Sequence, residues 1–308
     1  MKRFFLTSFI SAIICYHAAS ALPTTSGFYL PDSVTEMTLR YRTVNTLILL
    51  PVVINDSIHV NLILDTGCKN LILFGKKFQK LLKLNAGRQI QFSGLGDGNP
   101  VSGFLSLRNK VCIKAVLGKD IPIVVVPKRN LFQEYADVHG VVGYEIFSRF
   151  EIELNPGKQV IVFRPGATAI APPDYVRIPL RLVDVRPVMN SQILINEKIG
   201  SQSYDVMIDT GSCLGLLIKT TDIKKYLCSN CKDIIGRGFN GIFSGYTMVA
   251  EKLALKNFEA TGIPVAITSS SWHNQASIGM EVLKDYSVII NYCKSYVCLK
   301  RRTDMVRN

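Results

Sequence analysis

Short runs of apolar residues, separated by turn-forming residues, dominate the chain. Apolar or alternating runs bounded by Gly, Pro, Asn or Asp are typical of β-strands. They occur at residues 46–54, 58–64, 121–126, 160–163 and 288–291. Helical periodicity is sparse, and it predicts only two short helices, at residues 76–84 and 144–147. The pattern therefore predicts an all-β fold.

The same pattern contains an internal repeat, the first feature to look for in a chain of this length. The tripeptide Asp-Thr-Gly occurs at residues 65–67 and again at residues 209–211. Two downstream segments are repeated in the same order: the glycine-rich segment 94–103 matches 236–245, and 143–147 matches 279–283. Collinear matches of this kind describe a duplicated lobe, which two unrelated domains would not give.

The duplication sets the expected domain boundaries. Residues 22–164 are predicted to form an N-terminal lobe and residues 177–308 a homologous C-terminal lobe. The linker between them, residues 165–176, contains the Pro and Gly residues that mark element boundaries.

The N-terminus has the pattern of a secretory signal peptide. A charged start, Met1-Lys2-Arg3, precedes an apolar run too short to span a bilayer and then the small residues Ala19-Ser20-Ala21. Cleavage after residue 21 is expected, with the mature protein in the periplasm or outside the cell and without a membrane span. Lipid attachment at Cys15 and an uncleaved anchor are the alternatives.

The chain is strongly basic, with a formal net charge of +13 over 308 residues. The Lys and Arg residues are scattered, and no nucleic-acid-binding motif accompanies them. A solvated basic surface is the simplest interpretation, so no nucleic-acid partner is expected.

Cysteine usage fits an oxidising compartment. Two closely spaced pairs are candidate disulfides: Cys228 with Cys231, and Cys293 with Cys298 across a predicted hairpin. A Cys-x-x-Cys pair is also compatible with a redox site or half of a zinc site. No second pair completes a zinc cage, so no metal is expected. The pairing of the remaining cysteines stays open: Cys68, Cys112 and Cys213.

The candidate chemistry lies in the two Asp-Thr-Gly tripeptides. Asp65 and Asp209 each follow a strand-like apolar segment and precede another, so both carboxyls are expected to be buried. Burying a carboxylate is costly unless it is hydrogen-bonded or shares a proton with a neighbour. Asp and Gly also end strands for purely structural reasons, but the duplication in the same context favours a functional pair.

These motifs resemble those of the two-lobed aspartic proteases of the pepsin and retropepsin superfamily, over about residues 46–299. That family also carries a hydrophobic-hydrophobic-Gly motif in each lobe. Val141-Val142-Gly143 matches it well, and Ser277-Ile278-Gly279 departs from it at the first position. The remaining sequence looks closer to bacterial retropepsin-like proteins than to pepsin. The resemblance implies two acid-protease barrels about a pseudo-twofold axis, a cleft between them, and a monomer.

The resemblance also assigns roles to residues. Asp65 and Asp209 would share one proton and activate a water between them, without a cofactor. Ser212 would donate a hydrogen bond to the second carboxyl, and Cys68 would be a weaker donor to the first. Thr66 and Thr210 would interlock across the axis. The other implied site residues are loop glycines Gly67 and Gly211, flap candidates Gly94, Gly96, Gly98, Gly236, Gly238 and Phe239, and loop-packing residues Gly143 and Gly279.

Two functions follow from this interpretation. The first is an exported aspartic endopeptidase that hydrolyses peptide bonds in a polypeptide substrate. The alternative is a catalytically silent two-lobed protein that binds extended peptides in the same cleft. Signatures of other hydrolases and of nucleotide binding, namely G-x-S-x-G, H-E-x-x-H and the Walker A loop, do not occur.

Overall fold

The computed structural model describes residues 26–84, 88–92, 94–127, 132, 134–226, 233–270 and 275–302. The predicted signal peptide and the candidate pair Cys228 and Cys231 lie outside these ranges. Residues 26–165 are called the first half below, and residues 176–302 the second half. The described chain is mostly β-structure, so the all-β prediction is confirmed.

The first half contains strands β1 to β12 and two short α-helices. The strands are Gly27–Tyr29, Met37–Arg40, Arg42–Val44, Leu47–Ile54, Ile58–Leu64, Leu71–Phe74, Arg88–Phe92, Val101–Ile113, Val116–Val126, Gly140–Val142, Phe150–Asn155 and Val160–Pro165. The helices are α1, Lys76–Leu81, and α2, Tyr144–Phe147.

The second half contains strands β13 to β23, one α-helix and one 3-10 helix. The strands are Val176–Pro179, Arg181–Val183, Arg186–Leu194, Ser201–Ile208, Leu216–Thr220, Asp233–Gly238, Gly241–Leu255, Phe258–Ser269, Gln275–Ile278, Tyr286–Asn291 and Tyr296–Arg301. The helices are α3, Met280–Leu283, and the 3-10 helix Ile223–Tyr226.

The predicted elements agree closely with these bounds. Strand 58–64 and helix 144–147 form as predicted, whereas the helix predicted over 76–84 ends at Leu81. Strands β6 and β10 are buried along their whole length, which explains their continuous apolar sequence. Each of these strands has one parallel neighbour, and strands with parallel neighbours are usually covered on both faces.

The two halves each build a large sheet with the same pairing order. In the first half the sheet runs β4-β5-β10-β6-β9-β8-β7, with β3 on β4 and β1 on β9. In the second half it runs β14-β15-β16-β21-β17-β20-β19-β18. Each half has one further pairing between corresponding strands, β4 with β8 in the first half and β15 with β19 in the second. The sequence repeat is therefore also a repeat of strand connectivity.

A third sheet joins the halves. Its six strands run β13-β23-β22-β11-β12-β2, and its centre is the antiparallel pair β11 and β22, one strand from each half. The two hairpins that form it close with the same side-chain contact. Asn155 accepts a hydrogen bond from the Lys158 amide at 3.1 Å, and Asn291 accepts one from the Lys294 amide at 2.9 Å.

One continuous cluster of buried side chains runs through both halves, and Leu62, Phe147, Ile208 and Ile290 are among its members. Burying such residues is the dominant favourable term in folding. The halves are thus joined by packing as well as by the third sheet, which fixes the loops that carry the two Asp-Thr-Gly tripeptides.

The predicted bridge between Cys293 and Cys298 is not formed, because both thiols are free. Cys298 is buried in β23, where its register partner on β22 is Ile289. Cys293 lies outside the strand pairing and donates to the Ser148 carbonyl at 3.3 Å. Within the described ranges, the helices are all too short to cross a membrane.

Candidate active site

The two Asp-Thr-Gly loops begin at the ends of corresponding strands, β5 and β16. The Asp65 amide donates to the Val142 carbonyl at 2.9 Å, and the Asp209 amide donates to the Ile278 carbonyl at the same distance. The accepting residues, Val142 and Ile278, are the last residues of β10 and β21, and these strands run parallel to β5 and β16. The parallel pairing therefore holds each aspartate at the point where its strand ends.

The two loops are joined by four hydrogen bonds made by their threonines, two between the threonines and two from a threonine to the strand of the other half. The Thr66 amide donates to Thr210 Oγ1 and the Thr210 amide donates to Thr66 Oγ1, both at 3.1 Å. The hydroxyls then cross to the opposite strand: Thr66 donates to the Ile208 carbonyl at 2.7 Å and Thr210 to the Leu64 carbonyl at 2.8 Å. Both threonines are fully buried. Every polar atom of this contact has a partner, so the loops are held in a fixed relation.

The interlock brings the two carboxyl groups together over the loop glycines. A Cβ atom at Gly67 would lie 3.1 Å from Asp65 Oδ1 and 3.6 Å from Asp209 Oδ1. A Cβ at Gly211 would collide with the Asp65 carboxyl. Each carboxyl accepts a backbone hydrogen bond within its own loop, from Gly67 at 2.7 Å and from Gly211 at 3.1 Å. Glycine is required at position 211, where the Asp65 carboxyl occupies the space of a side chain, and a side chain at position 67 would press on the same carboxyl.

Two further glycines pack the loops from behind. A Cβ at Gly143 would collide with the Asp65 and Cys68 carbonyls, and one at Gly279 would collide with the carbonyl of Leu214. The next residue in each half donates into its loop, from Tyr144 to the Cys68 carbonyl at 2.8 Å and from Met280 to the Ser212 carbonyl at 2.7 Å. The structure thus places the hydrophobic-hydrophobic-Gly segments directly against the loops.

The side chains that follow the tripeptides do not contact the carboxyls as expected. The Cys68 thiol donates to the Asn70 carbonyl at 3.1 Å, and Ser212 Oγ accepts from the Leu214 amide at 3.3 Å. The two expected side-chain bonds, from Ser212 to Asp209 and from Cys68 to Asp65, are therefore not formed. Each loop turns back on itself, and the side chain of the residue after the glycine forms a hydrogen bond with a backbone group of that turn.

Burial raises the pKa values of both aspartates, and the charge of Asp209 raises that of Asp65 further. Burial is the largest effect on Asp65, followed by the charge of Asp209, and together they raise its pKa from 3.8 to about 7. Burial also raises the pKa of Asp209. Two carboxyls this close titrate as a pair, and the singly protonated form spans the range below pH 7.

Two cations act on this pair. Arg186 begins β15, and its Nε donates to the Gly67 carbonyl at 3.5 Å. Its charge lowers the pKa of both Asp65 and Asp209. Lys219, on β17, lowers the pKa of Asp209. The sequence analysis singled out neither residue, because neither Arg186 nor Lys219 belongs to a repeated motif.

The glycine-rich segments form two hairpin tips that contact each other. Asn240, at the tip between β18 and β19, is the centre of the contact and is buried. Its side chain accepts from the Gly94 amide at 2.9 Å and donates to the Gly98 carbonyl at 3.1 Å. Its backbone accepts from the Gly98 amide at 2.8 Å and donates to the Leu95 carbonyl at 2.9 Å. Of the flap candidates, Gly94 and Gly98 thus bind Asn240 directly.

Close backbone approach explains several of the tip glycines. Gly96 has φ of 124° and lies where a Cβ would collide with the Asn240 and Gly241 backbone. A Cβ at Gly238 would collide with the Leu95 carbonyl. Gly236 faces the Phe243 ring, with 3.0 Å between its hypothetical Cβ and the ring. The tips therefore fit each other only because Gly96 and Gly238 lack side chains, whereas Gly236 leaves room for a ring of its own hairpin.

Each tip packs against the opposite half. Phe239 lies against the rings of Phe74 and Phe92, with centroid distances of 5.9 and 5.5 Å. Leu95 packs against a small cluster that contains Leu217 and Phe243. Phe74 and Leu217 lie on β6 and β17, the strands that follow the two Asp-Thr-Gly loops. The tips thus extend to strands adjoining the loops.

Two more polar residues support the site. Glu145, in the first turn of α2, accepts from the Leu71 amide at 3.0 Å and from Asn70 at 3.3 Å, and burial raises its pKa to about 7. The buried Tyr292 hydroxyl donates to the Thr66 carbonyl at 3.4 Å. Glu145 recurs as Glu281 in the sequence repeat, a pattern that could have indicated its role. Tyr292 carried no such indication.

The described residues hold no cluster of three or more His, Cys, Asp or Glu side chains suited to a metal ion. The chemistry available at the site is that of two coupled carboxyls between Arg186 and Lys219. In comparisons with known proteins, no family model and no curated protein matches this chain.

Proposed function

We propose that the protein is an aspartic endopeptidase in which Asp65 and Asp209 activate one water molecule for attack on a peptide carbonyl. The observation that carries the proposal is the reciprocal threonine interlock, which brings two partly buried carboxyls to a common point over Gly67. If the tripeptides had only a structural role, the two carboxyls would not need to lie close together. At this separation, the charge of one carboxylate makes ionisation of the other less favourable.

The proposed reaction uses the pair in its singly protonated form. Like charges at such a short separation cannot both be ionised, and pepsin is the standard example of such a pair. The ionised carboxyl takes a proton from the water while the water oxygen bonds to the carbonyl carbon. The protonated carboxyl gives its proton to the carbonyl oxygen. Collapse of the neutral intermediate then breaks the C–N bond, with one proton passing to the leaving nitrogen and one returning to the pair.

The proposal extends to the architecture. We infer that the two large sheets are the two lobes of an acid protease and that the substrate lies in a cleft between them. The hairpin tips around Asn240 and Leu95 would be the flaps that close over it. Their contacts with β6 and β17 support this assignment, because they place the tips beside the strands that adjoin both loops.

The test is peptide hydrolysis by the purified full chain between about pH 3 and 8, with a quenched fluorescent peptide mixture. We expect cleavage that a statine-type transition-state analogue inhibits. Asp65→Asn and Asp209→Asn should each reduce kcat/KM at least about 100-fold, since general acid–base groups contribute this much or more. Circular dichroism should show that both variants are folded, because Asn preserves the shape of the side chain.

The matched control is Asp120→Asn, which changes an exposed carboxyl far from the loops and should leave kcat/KM unchanged. Near-wild-type turnover in either loop variant would reject the two-carboxyl mechanism. Peptide binding by calorimetry without any turnover would favour the alternative, a catalytically silent peptide-binding protein.

A further inference from the structure

Helix α1 and the turn that closes it concentrate positive charge on the surface of the first half. Residues 66–96 contain six Lys and Arg residues and no Asp or Glu, so this short segment supplies +6 of the formal net charge of +13. Four of its lysines are exposed on α1 and the closing turn: Lys76, Lys77, Lys80 and Lys83. The surface formed by these four lysines and Leu81 is called the lysine patch below.

The buried side of α1 decides which side chains face outward. Phe78 and Leu84 anchor the helix to the core and are 1% and 8% exposed. The Phe78 ring meets the His139 ring edge-on, with 6.0 Å between the centroids. Leu81, in contrast, is 53% exposed, and it lies next to Lys77 on the helix surface because the two are four residues apart. The lysine patch thus contains an exposed apolar side chain among its charges.

The stability of α1 does not explain these lysines. Lys76 and Lys80 are four residues apart, where like charges repel each other. Positive charge near a helix N-terminus also opposes the helix dipole, and the first turn of α1 contains no acidic residue. Among the residues that the structure describes, Lys76, Lys80 and Lys83 form no ion pair. Their charge is therefore available to a partner outside the chain.

The acidic residues next to α1 do not neutralise the lysine patch. Glu134 and Asp137 lie on the segment that leads to His139, and His139 contacts the buried face of α1. Asp137 is already paired with Arg42, with 3.3 Å between Oδ2 and Nη1. Both acidic residues thus belong to a segment that packs on the side of the helix opposite to its exposed lysines.

The second half has no equivalent of the lysine patch. The helix that follows β17 there is the 3-10 helix Ile223–Tyr226, and it carries only Lys224 and Lys225. Asp222 directly precedes it, so part of this charge is offset within the same segment. The lysine patch therefore belongs to one half alone and gives the molecule a single preferred face for an anionic partner.

The composition of the lysine patch favours a lipid surface over a nucleic acid. Lysine is a compact charge on a flexible stem, whereas nucleic-acid sites commonly use the planar fork of Arg and aromatic rings that stack on bases. Helix α1 contains no Arg, and its only ring, that of Phe78, is buried. Basic segments are attracted to anionic lipids. An apolar side chain among the lysines suits the boundary between the headgroups and the acyl chains.

We propose that the lysine patch binds the surface of an anionic lipid bilayer, with Leu81 inserted among the headgroups. The export expected from the N-terminal sequence pattern brings the chain next to such a surface. This inference goes beyond the proposed function and does not depend on it, because no member of the lysine patch belongs to the candidate active site.

The test is sedimentation of the full chain with vesicles of phosphatidylcholine, with and without about one third phosphatidylglycerol. We expect binding to the anionic vesicles that weakens as salt is added, since salt screens exposed charges. The variant Lys76→Gln/Lys80→Gln/Lys83→Gln should bind about a hundred-fold more weakly, because each lysine near an anionic surface contributes about five-fold. Lys77 is retained because it lies over the Phe78 ring, and the corresponding triple Arg variant should bind like wild type.

The matched control is Lys158→Gln/Lys198→Gln/Lys256→Gln, which removes the same charge from three exposed lysines elsewhere. It should bind like wild type, and circular dichroism should show that both triple variants are folded. Leu81→Gln leaves the charge unchanged and should weaken vesicle binding several-fold, because the inserted apolar surface is lost. The apolar N-terminal run is the same in all variants, so the differences between them report on the lysine patch.

Three results would overturn the proposal. Equal binding to neutral and anionic vesicles would show attachment through the apolar N-terminal run. Equal losses in the two triple variants would show attraction by the net charge of the whole molecule. An unchanged affinity of Leu81→Gln, together with tighter binding to single-stranded DNA or polyglutamate than to vesicles by fluorescence anisotropy, would identify a soluble polyanion as the partner instead.

Discussion

Thr66 and Thr210 are equivalent in the hydrogen bonds that join the two loops, whereas the charged side chains around the aspartates are not equivalent. The threonine contacts are neutral and reciprocal, so they impose symmetry on the loop backbones. Arg186 and Lys219 come from the second half alone, where Leu47 and Phe74 hold the corresponding positions in the first. Symmetric loops thus carry an asymmetric set of charges.

We expect the threonine interlock to contribute to stability as a unit. Thr66→Ala removes the acceptor of the buried Thr210 amide, and leaving such a donor unsatisfied costs about 1–3 kcal/mol. Thr66→Ser keeps the oxygen and should lose far less. Urea unfolding of both variants measures the difference. The double variant with Thr210→Ala should lose less than the sum of the single variants, because the two residues share one network; additive losses would contradict the interlock.

The raised pKa of Asp65 makes stability depend on pH. The folded protein holds this proton up to about pH 7, whereas the unfolded chain releases it near 3.8. The associated stability is present in acid and is lost as the pH rises through 7. Asp65→Asn should therefore raise the free energy of unfolding at pH 8 by on the order of a few kcal/mol. Near pH 3 the variant and wild type should be alike.

Denaturant unfolding at several pH values, with Asp120→Asn as the exposed control, measures this effect. A constant difference between Asp65→Asn and wild type across the whole range would contradict the raised pKa. The same variant is expected to be inactive, so a gain in stability would accompany the loss of catalysis.

At the scale of elements, the hairpin tips are the least predictable part of the site. Their glycine content and their repetition are visible in the sequence, but their mutual contact depends on how two distant hairpins are oriented. The partner of Asn240 is a hairpin more than a hundred residues earlier. Hydrogen bonds of this range follow from the assembled sheets and have no local pattern.

Asn240 is expected to hold the two tips together. Asn240→Ala removes both side-chain bonds, to Gly94 and Gly98, and retains the backbone bonds. The Gly94 amide should then exchange with solvent about 5–30-fold faster, the factor that corresponds to 1–2 kcal/mol. Amide exchange by NMR measures this, with the Ile290 amide in the third sheet as an unchanged reference. An unaltered Gly94 rate would mean that the backbone bonds alone hold the tips.

The loops themselves were predicted from sequence because their determinants are local. Asp-Thr-Gly after an apolar strand specifies a tight turn, and the structure places one there twice, each with a partly buried carboxyl. The partner of the Ser212 hydroxyl was predicted wrongly, because it depends on how the turn closes. Lys219 was missed because the loop before β17 is one residue longer than the loop before β6, so its correspondence to Phe74 emerges only from the strand pairing.

For the whole molecule, one chain supplies both aspartates, so we expect a functional monomer. Peptidase activity per molecule should be constant over about a hundred-fold range of dilution, because no association step is needed to assemble the site. Sedimentation at the same concentrations measures the oligomeric state. A loss of activity that follows dissociation of a dimer would contradict this expectation and would indicate a site completed by a second copy.

The third sheet has a consequence for either half on its own. Strands β11 and β22 are each other's neighbours at its centre, so removing one half would leave the other with a bare strand edge. A solitary first half would expose the backbone of β11, residues Phe150–Asn155, as a template for another chain. Two such copies could pair through these edges and recreate, between molecules, the seam that the intact protein keeps within one polypeptide.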